Sequence, residues 1–226
     1  MTIATFIVSL ILLVVLHRHP DREKIIHAQC FWWADALIAL NPLWKLKVEG
    51  LENIDKNETY VIVANHQSLA DIILLYKMRT YFKWVAKGEL LKVPFIGGLL
   101  KINNHIMLTR GDYGSIKESY RKAAEYLRRG ISMAFFPEGT RSETGQMGEF
   151  QNGAFKLAIR EKKKVLPVYI GGTREAIPKG GFIFSAEVVG RLIVLPSIDT
   201  STMDISEYGA LRDRVRSELL KTAAAK

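Results

Sequence analysis

Cysteine is almost absent from this chain. The single Cys30 among 226 residues excludes an intrachain disulfide and a cysteine-cluster metal site. Its place in an apolar aromatic stretch marks it as a small hydrophobe rather than a nucleophile. Long apolar runs are missing too. The charge-free N-terminal run from Met1 to Leu16 is sixteen residues, short of the ~20 that a perpendicular transmembrane helix needs. It has neither the basic start nor the small-residue cleavage site of a secretory signal peptide. No Gly-x-x-x-x-Gly-Lys-Ser/Thr, Gly-x-Gly-x-x-Gly or Gly-x-Ser-x-Gly occurs, so a P-loop, a dinucleotide site and a serine-hydrolase elbow have no support. Internal repeats and low-complexity linkers are lacking as well, and the length suits one sizeable core rather than two full domains.

What is present is an apolar and basic chain. Hydrophobic residues make up 48% and the formal charge is +9, with a mean hydropathy of +0.05 and a pI near 9.6. That is too polar for a multi-span transporter and calls for an anionic partner: nucleic acid, an acidic membrane surface or a phosphorylated substrate. After the first apolar run, His17-Arg18-His19-Pro20-Asp21-Arg22 breaks the helix, and a second dense run covers residues 25–40. Trp32, Trp33 and Trp44 suit a headgroup boundary. The pattern predicts a two-helix membrane-attachment motif over residues 1–44. A hairpin dipping into one leaflet is favoured over a span, and packing of both helices on the body is the third reading. His17, His19 and His27 fall in this region without the spacing of a metal set.

Over residues 45–226 apolar runs alternate with helical patterns. Strands are predicted near 45–49, 59–64, 82–86, 105–108, 131–135, 165–170 and 183–195, with room for a hairpin around Gly190-Arg191. Helices are predicted over about 70–79, 95–102, 112–129, 152–162 and 205–221. This alternation implies an α/β fold with a largely parallel central sheet flanked by helices.

Two segments carry chemistry. Asn65-His66-Gln67-Ser68-Leu69-Ala70-Asp71 follows the apolar run Tyr60–Ala64, which reads as a buried strand ending in a polar turn, with Ser68 placed to cap the next helix. His66 on the turn and Asp71 in the first helical turns can meet as an imidazole–carboxylate pair. The Asp then fixes the tautomer through one ring nitrogen and leaves the other to take a proton from a hydroxyl. A loop histidine and a dipole-stabilising aspartate is the other reading of the same residues. The second segment, Phe136-Pro137-Glu138-Gly139-Thr140-Arg141-Ser142, follows the apolar run 131–135. Gly139 permits positive φ and close backbone approach, Thr140 adds a hydroxyl, and Arg141 offers a planar fork suited to phosphate.

Together and in this order, about seventy residues apart, the two segments resemble the His-x-x-x-x-Asp and Phe-Pro-Glu-Gly-Thr-Arg blocks of the 1-acylglycerol-3-phosphate acyltransferase family. The resemblance extends over roughly residues 45–195, through Lys47–Asn53, Ala86-Lys87-Gly88-Glu89-Leu90, Met107-Leu108-Thr109-Arg110 and Val165–Val168. Departures are Asn104 where the arginine block usually opens with Gly, Thr109 where Asp usually precedes the Arg, and Gln151 where a basic residue is common. The resemblance implies a catalytic domain over 45–226 that moves a fatty acyl group from a thioester to the free 2-hydroxyl of 1-acylglycerol-3-phosphate, giving phosphatidic acid. His66 and Asp71 are then catalytic. Lys87, Arg110 and Arg141 hold the acceptor's phosphate, Gly139 and Thr140 line the same subsite, and Glu138 belongs to it by orienting Arg141. His105, near Arg110 in sequence, is a further candidate for the pocket.

No metal, cofactor or covalent acyl-enzyme is required. The donor is acyl-CoA or an acyl carrier protein, the other partner is a lipid membrane, and nucleic acid is not expected. Localisation follows as membrane, with the catalytic domain on the cytoplasmic face. Two alternatives stand beside this reading: transfer to another lysolipid or to glycerol-3-phosphate, and a non-enzymatic basic membrane or nucleic-acid binder. The latter leaves both blocks unexplained.

Overall fold

The computed structural model describes residues 1–109, 111–142, 145–174, 176 and 187–225. Two helices, α1 (Thr2–Val15) and α2 (Arg22–Ala39), precede the first strand, β1 (Trp44–Glu49). Then come β2 (Tyr60–Ala64), α3 (Ala70–Leu75), β3 (Phe82–Lys87), α4 (Ile96–Ile102), β4 (Ile106–Leu108) and α5 (Tyr113–Arg128). The chain continues with β5 (Ser132–Phe135), α6 (Gly153–Arg160), β6 (Lys164–Gly171), β7 (Val188–Val194) and α7 (Tyr208–Ala224).

The strands form one sheet in the order β1-β7-β6-β2-β5-β3-β4. β6, β2, β5, β3 and β4 run parallel, and β7 and β1 run parallel to each other but opposite to the rest. β2 is buried along its whole length, as expected of a parallel strand covered on both faces. Its side chains alternate between two cores. Val61 and Val63 meet α5, α6 and α7 through Ala123, Leu127, Phe155, Leu211 and Val215. Tyr60, Ile62 and Ala64 meet α2 and α3 through Cys30, Ala34, Ile73 and Leu74.

Two expectations change here. β7 passes straight through Gly190 and Arg191, which pair with Leu46 and Lys47 of β1. Val188, Gly190, Leu192 and Val194 face inward while Val189 points out, a strand periodicity that a turn at that dipeptide would interrupt. The second apolar run is also divided between surface and core. α2 packs on the sheet, burying Ile26, His27, Cys30 and Ala34. Burial pushes the Cys30 thiol up to about 11. α2 is pinned by Asp35 to Lys77 and Arg79, and by Glu23 to the fully buried Lys83 at 3.1 Å. α1 rests on α2 and α4 through Phe6 against Phe95 and through Trp33 Nε1 donating to Thr2 Oγ1. Its outer side, Ile3, Ile7, Ile11, Val14 and Val15, lies exposed, as do Trp32, Phe95 and Ile96.

Candidate active site

The site forms where parallel strands end. At the end of β2 the buried Asn65 donates through Nδ2 to the Ile170 carbonyl and accepts the Ile170 N–H at Oδ1, at 2.7 and 2.8 Å. That pair of hydrogen bonds from one amide side chain locks β2 to β6. The chain then turns, and Asp71, in the first turn of α3, folds back over it. Its Oδ2 accepts His66 Nδ1 at 2.8 Å, the Gln67 N–H at 2.6 Å and the Ser68 N–H at 2.9 Å. Its Oδ1 accepts the Thr173 hydroxyl. The carboxylate therefore closes the turn itself, and Ser68 Oγ, expected as the helix cap, accepts the Ala70 N–H at 3.3 Å.

Asp71 is fully buried while the His66 side chain keeps 15% of its surface. An anionic carboxylate only accepts, so Nδ1 carries the proton and Nε2 presents a lone pair. That is the geometry of a general base with an oriented imidazole.

The second block closes around the first. Phe136, just past β5, stacks on the His66 ring with centroids 3.9 Å apart and planes 12° apart, and Trp84 of β3 stacks on Phe136 at 5.3 Å. Glu138 Oε1 accepts the His66 N–H at 2.7 Å, and Oε2 accepts the Gly148 N–H at 2.8 Å. The Ser142 N–H returns to the His66 carbonyl at 2.9 Å. Glu138 thus engages backbone on both oxygens, where the sequence suggested a partnership with Arg141. Burial pushes its carboxyl up, against the pull of the two N–H groups.

Gly139 has φ 69°, its N–H bonds the Phe136 carbonyl at 3.0 Å, and no atom lies within 4 Å of where a Cβ would stand. The loop there is open to a close-fitting ligand. Thr140 is exposed and Arg141 partly so. The Arg141 guanidinium makes no hydrogen bond or ion pair among the described residues. Lys87 ends β3 at the same edge of the sheet, 45% exposed and 3.2 Å from Glu89. Arg110 lies outside the described residues.

His105 is part of a different cluster. It is buried, and its Nδ1 accepts the Trp84 N–H at 3.1 Å, so it supports β3 from the side of α2 rather than facing the loop of the second block. Lys83 beside it donates to the Asn103 carbonyl at 2.6 Å. Asn104 has φ 51°, the left-handed conformation that Gly adopts freely and Asn tolerates best among the others. The departure from Gly at this position therefore preserves the backbone. Two side chains that shape the site escaped sequence reasoning in that role. Phe136 was visible within its block but not as the floor of the imidazole. Thr173, 102 residues from Asp71, carried no signal.

A family model described as Acyltransferase matches residues 45–171. A chloroplast 1-acyl-sn-glycerol-3-phosphate acyltransferase of Arabidopsis thaliana is 35% identical over 208 residues, covering 89% of this chain and 57% of that protein. A 1-acyl-sn-glycerol-3-phosphate acyltransferase of Borreliella burgdorferi is 31% identical, covering 78% of this chain and 71% of that one. The crystal structure of the 1-acyl-sn-glycerophosphate acyltransferase of Thermotoga maritima superposes with a TM-score of 0.81 at 28% identity, over 95% of this chain and 86% of the other. The chain spans only 57% and 63% of the plant relatives from Arabidopsis and Brassica napus.

Proposed function

The chain belongs to the acyltransferase family, and from that premise we propose that it transfers a fatty acyl group from a thioester to the 2-hydroxyl of 1-acylglycerol-3-phosphate, giving phosphatidic acid. The observation that carries this reading is the His66–Asp71 pair, buried on its carboxylate side and open at Nε2, with the loop of the second block stacked and hydrogen-bonded onto it. Nε2 takes the hydroxyl proton as the oxygen attacks the thioester carbonyl. The C–O bond forms, the tetrahedral intermediate collapses, the C–S bond breaks, and His66 returns the proton to the departing thiolate. Asp71 stabilises the imidazolium in between. The acyl group passes directly from donor to acceptor.

The acceptor's phosphate binds at the open loop of Gly139 and Thr140, paired by the Arg141 fork, with Lys87 and Arg110 completing its charge. Glu138 serves this subsite indirectly, by tying His66 to the loop that follows. The donor is acyl-CoA or an acyl carrier protein. No helix among the described residues is long and apolar enough to cross a membrane. The exposed apolar side of α1 is the natural contact with the bilayer that supplies the acceptor, lying in the interface rather than spanning it, with the catalytic body on the cytoplasmic face.

The test is thiol release from a long-chain acyl thioester with a panel of lysolipid acceptors. Lysophosphatidic acid should support the fastest turnover, and His66→Ala should remove it, since general base catalysis contributes roughly 10²–10⁴-fold. Turnover that persists in His66→Ala, or that is absent with every lysolipid, would end this assignment.

A further inference from the structure

On the reading of His66 as the base, we propose that Thr173 is a positioning residue of the reaction, its hydroxyl fixing the rotation of the Asp71 carboxylate and, through it, the ring of His66. The χ2 torsion of an aspartate is broad and sets no orientation by itself, so its donors must do so. Three of them converge on Oδ2: His66 Nδ1 and the N–H groups of Gln67 and Ser68. Oδ1 has the Thr173 hydroxyl. Both side chains are fully buried. Without that hydroxyl Oδ1 would be an unpaired anionic oxygen away from water, a state that is costly to leave unrelieved. The carboxylate would relieve it by turning Oδ1 toward the donors now held by Oδ2, and Oδ2 would leave His66 Nδ1.

The fold places the hydroxyl with little freedom. Asn65 clasps Ile170, three residues before Thr173, to the end of β2, one residue before His66. Between them Gly172 takes φ 74°, and a Cβ there would stand 1.8 Å from the Val189 carbonyl oxygen of β7. Only Gly supplies both the left-handed backbone and that close approach. Three strands thus set the distance from the Thr173 hydroxyl to Asp71.

The experiment compares Thr173→Val, Thr173→Ser and His66→Ala in steady-state turnover of a long-chain acyl thioester with lysophosphatidic acid, together with pH–rate profiles and thermal melts. Valine keeps the shape and removes the donor. The expected result is a fall in kcat of about tenfold or more, the order set by a hydrogen bond to a charged group, with acceptor KM within about twofold. The acidic limb of the profile should move to lower pH, because a carboxylate turned away from Nδ1 holds the protonated imidazole less strongly. Serine should recover most of the rate. If Thr173→Val does not fold, Thr173→Ala is judged by the same criteria.

Activity surviving in His66→Ala would overturn the base assignment and this proposal with it. With His66→Ala inactive, a valine variant that keeps wild-type kcat and an unmoved profile would overturn the proposal alone. So would a serine variant as slow and as unstable as valine, which reduces Thr173 to packing.

Discussion

Replacing Glu138 with Gln separates two roles that one carboxylate could play. In the structure its oxygens join the His66 N–H at 2.7 Å and the Gly148 N–H at 2.8 Å. A carboxamide has one acceptor where the carboxylate has two, so one of these N–H groups would face an NH₂. Whichever end is released, the tie between the catalytic turn and the loop at Gly148 is cut. Hydrogen bonds to a charged group contribute roughly 1.5–3 kcal/mol each. Part of that loss is returned, because burial disfavours the charged carboxylate and glutamine removes the charge. A net loss of about 1–2 kcal/mol follows, or a Tm lower by roughly 2–8 °C in a chain of this size.

The effect on rate should be larger than the effect on stability suggests. His66 is held from its backbone by this contact and by Ser142, and misplacing a reacting group by ~1 Å costs on the order of 10²-fold. Glu138→Gln should therefore lower kcat by about 10–100-fold and leave the acceptor KM near its wild-type value. Turnover of a long-chain acyl thioester with lysophosphatidic acid, alongside differential scanning fluorimetry, measures both. A variant with unchanged kcat and Tm but a raised acceptor KM would refute the reasoning and return Glu138 to the phosphate subsite as the partner of Arg141.

On the proposed acceptor site, where the phosphate would position the hydroxyl against His66, Arg141→Ala should raise the KM for lysophosphatidic acid and lower kcat as well. Loss of thioester affinity with intact acceptor kinetics would instead move this cation to the donor. Glu at Ile7, Ile11 and Val14, which are 50%, 56% and 72% exposed along one side of α1, should strip the protein from phospholipid vesicles in sedimentation assays while Tm stays within about 2 °C, a margin equivalent to less than 1 kcal/mol. Retained vesicle binding would discard α1 as the contact.

Acid should destabilise the fold through His27, whose burial pulls it from 6.5 down to about 3. The folded state refuses a proton that the unfolded chain accepts, so this stability is complete above pH 6.5. It is lost as pH falls toward 3, at up to about 1.4 kcal/mol per pH unit. Thermal melts between pH 7.5 and 4.5 should fall less steeply for His27→Leu than for wild type, and parallel curves would exclude His27 as the cause.

Features encoded within a few residues were open to the sequence alone. The run Tyr60–Ala64 is apolar throughout because both faces of β2 are covered, and the seven strands follow from such runs. His66 and Asp71 are five positions apart across one strand–turn–helix junction, so their meeting is a local event that needs no knowledge of the sheet. The strand order needed tertiary structure, and with it every contact that crosses from one strand end to the next. Phe136 lies under His66, and Glu138 on its N–H, because β5 is the neighbour of β2; Thr173 reaches Asp71 because β6 is the other neighbour. Apolar density could not decide where α2 goes, since a core helix and a membrane helix expose the same composition to a reader of the chain. Its place was decided by the partners waiting in the fold: Lys83 for Glu23, Lys77 and Arg79 for Asp35, and the inward face of β2 for Cys30 and Ala34.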